Sequence, residues 1–276
     1  MNEYVVIVIY SKFIGHIIVK SHKTSKRQIA ILDYIRQQGT ATVAELAEGL
    51  HVSDETIRRD AKLLETKGAI LKLHGALALP HLAGEAPFER RLRENANTKR
   101  AIAKRACQFV EDGDSIMIDT GTTTSIFAQE LRMKRNLTIV TNSSDIARTL
   151  ATVNGNTVYM AGGALQGDNG AAFGPTAVEF FARFRVKHAF ISIGALDASN
   201  GPMDAHLNEA DIAHMALSRA EHRVILSDSS KFGKTALVKV CEFSEINRLI
   251  TDQLPDAILG AALEAAGVSI NLTTSA

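Results

Sequence analysis

The sequence predicts an α/β protein in two parts, a small N-terminal unit of helices and a hairpin and a larger domain with a mainly parallel sheet. Three observations predict it. Residues 25–79 carry helical apolar spacing that gives way to a hairpin pattern. Residues 115–270 alternate short β-rich apolar runs with helical stretches, and polar and glycine residues gather where those runs end. At 276 residues with 46% hydrophobic content, the chain is long enough for both parts and a sizeable core. The net charge of +1 gives no global basic field, so any nucleic-acid site must be local. The absence of Trp argues against an aromatic-lined sugar cleft. Cys107 and Cys241 show no paired spacing, which suits buried, inert thiols in a reducing cytoplasm.

Residues 1–22 stand apart. Tyr4–Val19 is nearly all apolar, but Lys12 and His16 interrupt it, and it falls short of the roughly 20 residues that span a bilayer. It lacks a basic start and a small-residue cleavage site, so neither a signal peptide nor a membrane partner is expected. The expectation is an extension outside the fold.

From Ser25 the pattern becomes helical. Ile29, Leu32 and Ile35, with Ile31 beside them, form a stripe that Ser25 can cap and Gly39 ends. Thr42–Glu45 has the S/T-x-x-E form of a capping box, in which each side chain satisfies a free N–H of the first turn. It opens a helix, Val43–Leu50, that buries Leu46 and Leu50. Ser53 caps a third helix, about Asp54–Thr66, with Ile57, Ala61 and Leu64 inward. Gly68 ends it, and Ile70–Leu79, broken at His74-Gly75, completes a winged helix-turn-helix over residues 23–79, its helix-turn-helix at about 41–60.

That geometry leaves Glu55, Thr56, Arg58, Arg59 and Lys62 on or near the outer surface, with Ser53 at the helix start. A recognition helix reads base edges with its N-terminal residues, and Arg can bond two guanine acceptors at once. Flanking lysines and hydroxyls hold phosphates and set register. Lys72 and His74 would sit beside the backbone or minor groove. The bland alternative is that Arg58 and Arg59 are solvated, or paired with Glu55 and Asp54. Three helices plus a hairpin, with both caps in place, favour DNA contact.

The string Val52-Ser53-x-x-Thr56-Ile57-Arg58-Arg59-Asp60, followed by Leu64, Gly68 and His74-Gly75, resembles the helix-turn-helix of the DeoR/GlpR family of bacterial repressors. Ala61 stands where that family usually has Leu, and Ala76 where a second Gly is usual.

Pro80–Glu85 is a short Pro/Gly-containing link, and residues 80–98 are assigned as linker. A single charged helix is expected from about Pro87 through Lys99 to Val110, leading into a domain over 99–272. The strand candidates are Ser115–Asp119, Leu137–Thr141, Thr157–Ala161, Ala189–Ile193, Arg223–Ser227, Arg248–Thr251 and Val268–Ile270. Asp119-Thr120-Gly121-Thr122-Thr123-Thr124 follows the first of these and opens a helix. Thr141-Asn142 follows the second, Gly162-Gly163 the third, Gly194 the fourth and Asp228-Ser229-Ser230-Lys231 the fifth. Ligands of open α/β sheets bind at the carboxyl ends of strands, near a topological switch point. Helix N-terminal N–H groups, adjacent hydroxyls and a close-approach glycine favour an anion, typically phosphate. Lys231 would add a compact positive charge, and Asp119, Asn142 and Asp228 could bond polyol hydroxyls. Thr and Asp also cap helices for purely structural reasons, so the weight lies in several turns converging.

The family resemblance extends over about residues 24–252. Asp119-x-Gly-Thr-Thr, Thr141-Asn142, Gly162-Gly163, Asp228-Ser229-Ser230-Lys231-Phe232-Gly233 and Thr251-Asp252 look like the sensor-domain motifs of DeoR-type repressors. The resemblance implies a domain similar to the sugar-phosphate isomerase fold and a phosphorylated sugar or polyol effector. It also implies a site role for Glu209. Where the family often has Lys-Arg after that Glu, this chain has Ala213 and His214, which bears on the identity of the effector and not on its class.

Other signals carry less. Phe232-Gly233-Lys234-Thr235 resembles the end of a phosphate-binding loop, but Asp228 holds the required upstream Gly position. Gly162-Gly163-x-x-x-Gly167 does not fit the dinucleotide fingerprint. His206, His214 and His222 lie eight apart, a spacing that does not place two on one helical face, so no metal or other cofactor is expected. The leading reading is a ligand-responsive repressor of a sugar or polyol operon, a homodimer or homotetramer on operator DNA. Its rival is a sugar-phosphate isomerase or deaminase with a DNA-binding appendage, using Asp119, Glu209 and Lys231. Spacing identifies no base for that chemistry. Activation in place of repression differs only in operator position.

Overall fold

The computed structural model describes residues 25–38, 40–66, 69–73, 76–78 and 88–273. The extension 1–22, His74 and Gly75 lie outside the described residues. The chain divides into two units, Met1–Ala83 and Gly84–Ala276.

The first unit contains α1 (Lys26–Gln38), β1 (Thr40–Thr42), α2 (Val43–Gly49), α3 (Asp54–Thr66), β2 (Leu71–Leu73) and β3 (Ala76–Ala78). Caps set the helix starts. Thr42 Oγ1 accepts from Glu45 N at 3.2 Å, while Glu45 Oε2 accepts from Thr42 N at 2.7 Å. Ser25 and Gln28 form a second reciprocal pair at the start of α1, with Gln28 N donating to Ser25 Oγ at 3.1 Å. Ser53 Oγ accepts from Thr56 N at 3.4 Å. Ile31, Ile35, Leu46, Ile57, Ala61 and Leu64 form the core. The α1 stripe is turned from the expected one, because Ile31 and Ile35 are buried while Ile29 is 47% exposed. The sheet has the order β1-β3-β2 and is antiparallel, so β1 adds a strand beside the expected hairpin.

The second unit opens with α4 (Phe88–Arg93) and α5 (Ala96–Cys107), then β4 (Ser115–Ile118), α6 (Thr122–Leu131), β5 (Thr138–Thr141), α7 (Ser144–Leu150) and β6 (Thr157–Met160). It continues with α8 (Pro175–Ala182), β7 (Val186–Ser192), β8 (Ala195–Asp197), β9 (Gly201–Asp204), α9 (Leu207–Ser218) and β10 (Ala220–Leu226). The last elements are β11 (Val238–Lys239), β12 (Arg248–Thr251), α10 (Ala257–Ala265) and β13 (Ser269–Leu272). The expected single helix before β4 is a correction: it is two helices, broken where Asn95 takes a left-handed conformation, φ 53°. Asn tolerates that conformation, which a helix interior does not allow.

The seven-stranded sheet has the order β13-β12-β10-β7-β4-β5-β6, and every pairing in it is parallel. Helices cover both faces, as parallel sheets require. Ile102, Phe127 and Ile146, from α5, α6 and α7, pack on one face. Phe181, Leu217 and Leu263, from α8, α9 and α10, pack on the other. The chain runs outward from β4 to β6, then crosses back to β7 and runs outward the other way. The order therefore reverses between β4 and β7, which makes their carboxyl ends the switch point. A small antiparallel sheet, β11-β9-β8, was not expected from the sequence.

Candidate functional site

In the first unit, α3 separates its faces cleanly. Ile57, Asp60, Ala61 and Leu64 are buried, while Ser53, Glu55, Arg58, Arg59 and Lys62 are exposed and Thr56 is half-buried. Neither Arg58 nor Arg59 makes an ion pair with a described residue, so both guanidinium groups are open to a ligand. Lys72, on β2, pairs with Glu65 at 3.1 Å. Asp60 is the residue that the sequence reading left without a role. Buried beneath the helix, its carboxylate accepts from Arg27 Nε and, at 3.4 Å, from Gln28 Nε2. Gln28 is also the partner of Ser25 at the helix start, so one side chain joins the cap of α1 to the recognition helix.

In the second unit, the switch point is built around Asp119 and the first turn of α6. Asp119 is buried, and both its oxygens accept from Ser192 N, at 3.2 and 3.1 Å, which stitches the ends of β4 and β7 together. Burial, aided by the nearby charge of Glu209, raises its carboxyl to about 8. Gly121 allows the close approach: a Cβ there would lie 1.7 Å from Ser192 Oγ. The first bond of α6 runs from Ser125 N to Gly121 O at 2.9 Å. The N–H groups of Thr122, Thr123 and Thr124 precede it and are available to an anion. The Thr122 and Thr123 hydroxyls make no hydrogen bond to a described residue, whereas Thr124 Oγ1 donates to Asp119 O and Gly121 O, both at 3.1 Å.

Several expected ligand groups are engaged with their own turns. Asn142 is fully buried, its amide oxygen accepting from Thr120 Oγ1 at 2.9 Å and its nitrogen donating to Ala172 O at 3.0 Å. Thr141 Oγ1 accepts from Ser143 N at 3.1 Å. Asp228 Oδ1 caps the following 3₁₀ turn by accepting from Ser230 N at 3.0 Å. Gly194 N donates to Asp204 Oδ1 at 2.7 Å. Gly162 and Gly163 lie on an exposed loop after β6. Glu209 is half-buried in the first turn of α9. Lys231 is half-buried and has no ion-pair partner among the described residues.

The sequence reading missed Lys99. Its side chain is buried on α5 and its ammonium donates to the Arg91 carbonyl. Burial lowers its pKa, and Lys231 lies close enough to add repulsion while Asp228 opposes it. The signal was present: Lys99 shares a helical stripe with the buried Ile102, Ala103 and Ala106, where a cation is out of place unless it serves something. Lys99 and Lys231 thus lie close to each other and to Asp228, at the carboxyl end of β10 next to β7, an arrangement that can attract an anion.

Little else competes. His206, His214 and His222 are exposed, and among the described residues no group of His, Cys, Asp or Glu is placed to hold a metal. Both thiols are free, with Cys241 buried, and burial pushes their pKa values up to about 11 for Cys107 and about 12 for Cys241. A groove between α8 and α9 is lined by residues such as Val178, Glu179, Leu207, Asp211 and His214, and by none of the expected ligand residues. Among the described residues, no helix is long and apolar enough to cross a membrane.

Comparison with known proteins bears on both units. A model of the DeoR-like helix-turn-helix domain matches residues 27–82, and a model of the DeoR C-terminal sensor domain matches residues 94–253. The glycerol-3-phosphate regulon repressor of Escherichia coli is 30% identical over 84% of this chain and 92% of its own. The transcriptional repressor CsqR of the same organism is 31% identical over 89% and 94%. The repressor GlcR of Bacillus subtilis is 29% identical over 90% and 96%. Among solved structures, ribose 5-phosphate isomerase A of Methanocaldococcus jannaschii superposes on 50% of this chain and 55% of its own, with a TM-score of 0.38 and 17% identity.

Proposed function

The chain belongs to the DeoR family of DNA-binding transcriptional regulators, and on that premise we propose that it represses a sugar or polyol operon until a phosphorylated sugar or polyol releases it. The open Arg58 and Arg59 at the start of α3 support base reading. The pairing of the Lys99 and Lys231 ammonium groups at the corner beside Asp228, with the free N–H groups that open α6 in the same sheet's switch region, is the observation that carries the effector class. A sugar phosphate presents a dianion to that corner and hydroxyls to the polar groups around Asp119. The name of one relative, the glycerol-3-phosphate regulon repressor of Escherichia coli, favours the same chemistry. No cofactor enters this reading. The switch requires that the effector bind the DNA-free form more tightly than the DNA-bound form. Each copy of the chain offers one short recognition helix, so the binding species is a homodimer or homotetramer on repeated half-sites. The rival isomerase reading is set aside with the family.

The test is fluorescence anisotropy on a labelled fragment from upstream of the protein's own gene, with and without a panel of sugar phosphates. One compound should release the fragment. The Lys231→Ala variant should still bind it but need at least about tenfold more of that compound, a loss near that of one charge-assisted hydrogen bond. Release of Lys231→Ala at the wild-type concentration would remove that lysine from the site, and absence of sequence-selective binding would overturn the regulator reading.

A further inference from the structure

Beyond residues 80–87, three bonds among the described residues help to hold the segment that enters the larger unit, and they reach the loop after β6, Lys99 and Asp228. At its start, Phe88 N donates to both oxygens of Asp168, at 3.1 and 3.0 Å. Asp168 belongs to the exposed loop after β6 that carries Gly162 and Gly163. In the middle, the Arg91 carbonyl accepts from Lys99 Nζ. At the corner, Asn95, in its left-handed conformation, donates from Nδ2 to Asp228 Oδ1 at 3.4 Å. Between these points α4 packs on α6, whose first turn offers the free N–H groups. With six residues, α4 is far too short to be stable alone. Its place is therefore set by these bonds and by the buried Phe88 ring.

Resting on the sensor reading above, we propose that α4 transmits effector binding to the linker, with Asp168 as the positioning residue that fixes its amino end. A phosphate held at the Asp228–Lys231 turn, beside which Lys99 lies, draws the Lys99 ammonium to itself, because a charge-assisted bond to an anion is stronger than one to a neutral carbonyl. The Arg91 carbonyl then loses its donor and the α4–α5 corner moves. Asp168 touches no effector. It holds Phe88, so that movement at the corner is passed to residues 80–87 and not absorbed by fraying of the first turn.

The experiment uses the full chain as wild type, Asp168→Ala and Asp168→Asn. Thermal shifts with glycerol 3-phosphate, fructose 6-phosphate and ribose 5-phosphate report binding at the sensor. Anisotropy on the upstream fragment, with and without the compound giving the largest shift, reports release. Both variants should bind fragment and compound as the wild type does. The compound should weaken DNA binding about tenfold less in Asp168→Ala than in wild type, within the usual range of coupling. Asp168→Asn, which keeps one acceptor oxygen, should fall between. Full release from Asp168→Ala would overturn the proposal, as would equal loss of DNA binding without any compound, the mark of a merely structural role. If Asp168→Ala does not fold, Asp168→Asn alone decides by the same criteria. A wild type that none of the three compounds shifts would remove the sensor reading itself, and this proposal with it.

Discussion

Asp119 shows how much chemistry a single burial imposes. Its carboxyl is enclosed, bonded to one backbone N–H, and lies within the field of Glu209, so it holds its proton up to about 8 against an ordinary 3.8. The sign of the consequence follows from proton counting. Between those two pH values the folded chain keeps a proton that the unfolded chain has lost, so the Asp119 contribution to stability falls as pH rises. Below the window both states are protonated, and above it neither is. Asp119→Asn cannot titrate, so the melting temperature of the wild type minus that of the variant should decline from pH 4 to pH 8 and then level. A pH-independent difference would mean that Asp119 is ionised in the fold with an ordinary pKa. Within the window, a neutral carboxyl also spares an incoming phosphate one negative neighbour, which suits an anion site.

At the scale of elements, the recognition helix is held by a polar tie and not by packing alone. Asp60 joins α3 to α1 through Arg27 and Gln28, so Asp60→Ala leaves buried donors without an acceptor and should cost about 1–3 kcal/mol. Arg27 is 36% exposed, which keeps the value below that of a fully buried pair. Chemical denaturation monitored on the first unit should show it, and a loss under about 0.5 kcal/mol, the range of a surface change, would sink the idea. Elements of this protein differ in how far the sequence disclosed them. Strands β4 to β7 and β10 were legible as apolar runs between helical stretches, and α2 as a capping box. The small strands β8, β9 and β11 were not, since Ala195–Asp197, Gly201–Asp204 and Val238–Lys239 contain no β-rich apolar run. The break at Asn95, a residue type that favours caps and turns, was hidden because charged helical patterning runs on both sides of it. Among the candidate site residues, Asp119 and the Thr122–Thr124 turn were visible at a strand end, but sequence does not tell whether Asn142 or Asp228 spends its bonds on a ligand or a turn. Lys99 escaped because it was read as one charge among many on a charged helix, with no sign that it is buried.

For the whole molecule, charge decides how DNA binding must behave. A net charge of +1 supplies no long-range attraction, so affinity rests on a few local contacts, and their number is measurable. Each phosphate neutralised on B-DNA contributes about 0.9 to the slope of log affinity against log salt concentration. On the proposed reading, Arg58 and Arg59, exposed near the start of α3, reach base edges, and Lys62, exposed a turn further along, reaches a phosphate. Lys62→Ala should therefore weaken operator and unrelated DNA alike and flatten the salt dependence. Arg58→Ala and Arg59→Ala should weaken operator binding selectively. If those two lower both affinities equally, α3 is holding the backbone and another segment reads the bases. The Lys62→Ala slope also counts copies. Every bound recognition helix loses one phosphate contact, so a change of about 0.9 means one helix on the DNA and a change of about 1.8 means two. The second value is expected for a dimer spanning paired half-sites, in which a regulator with almost no net charge doubles its contacts by binding as two copies.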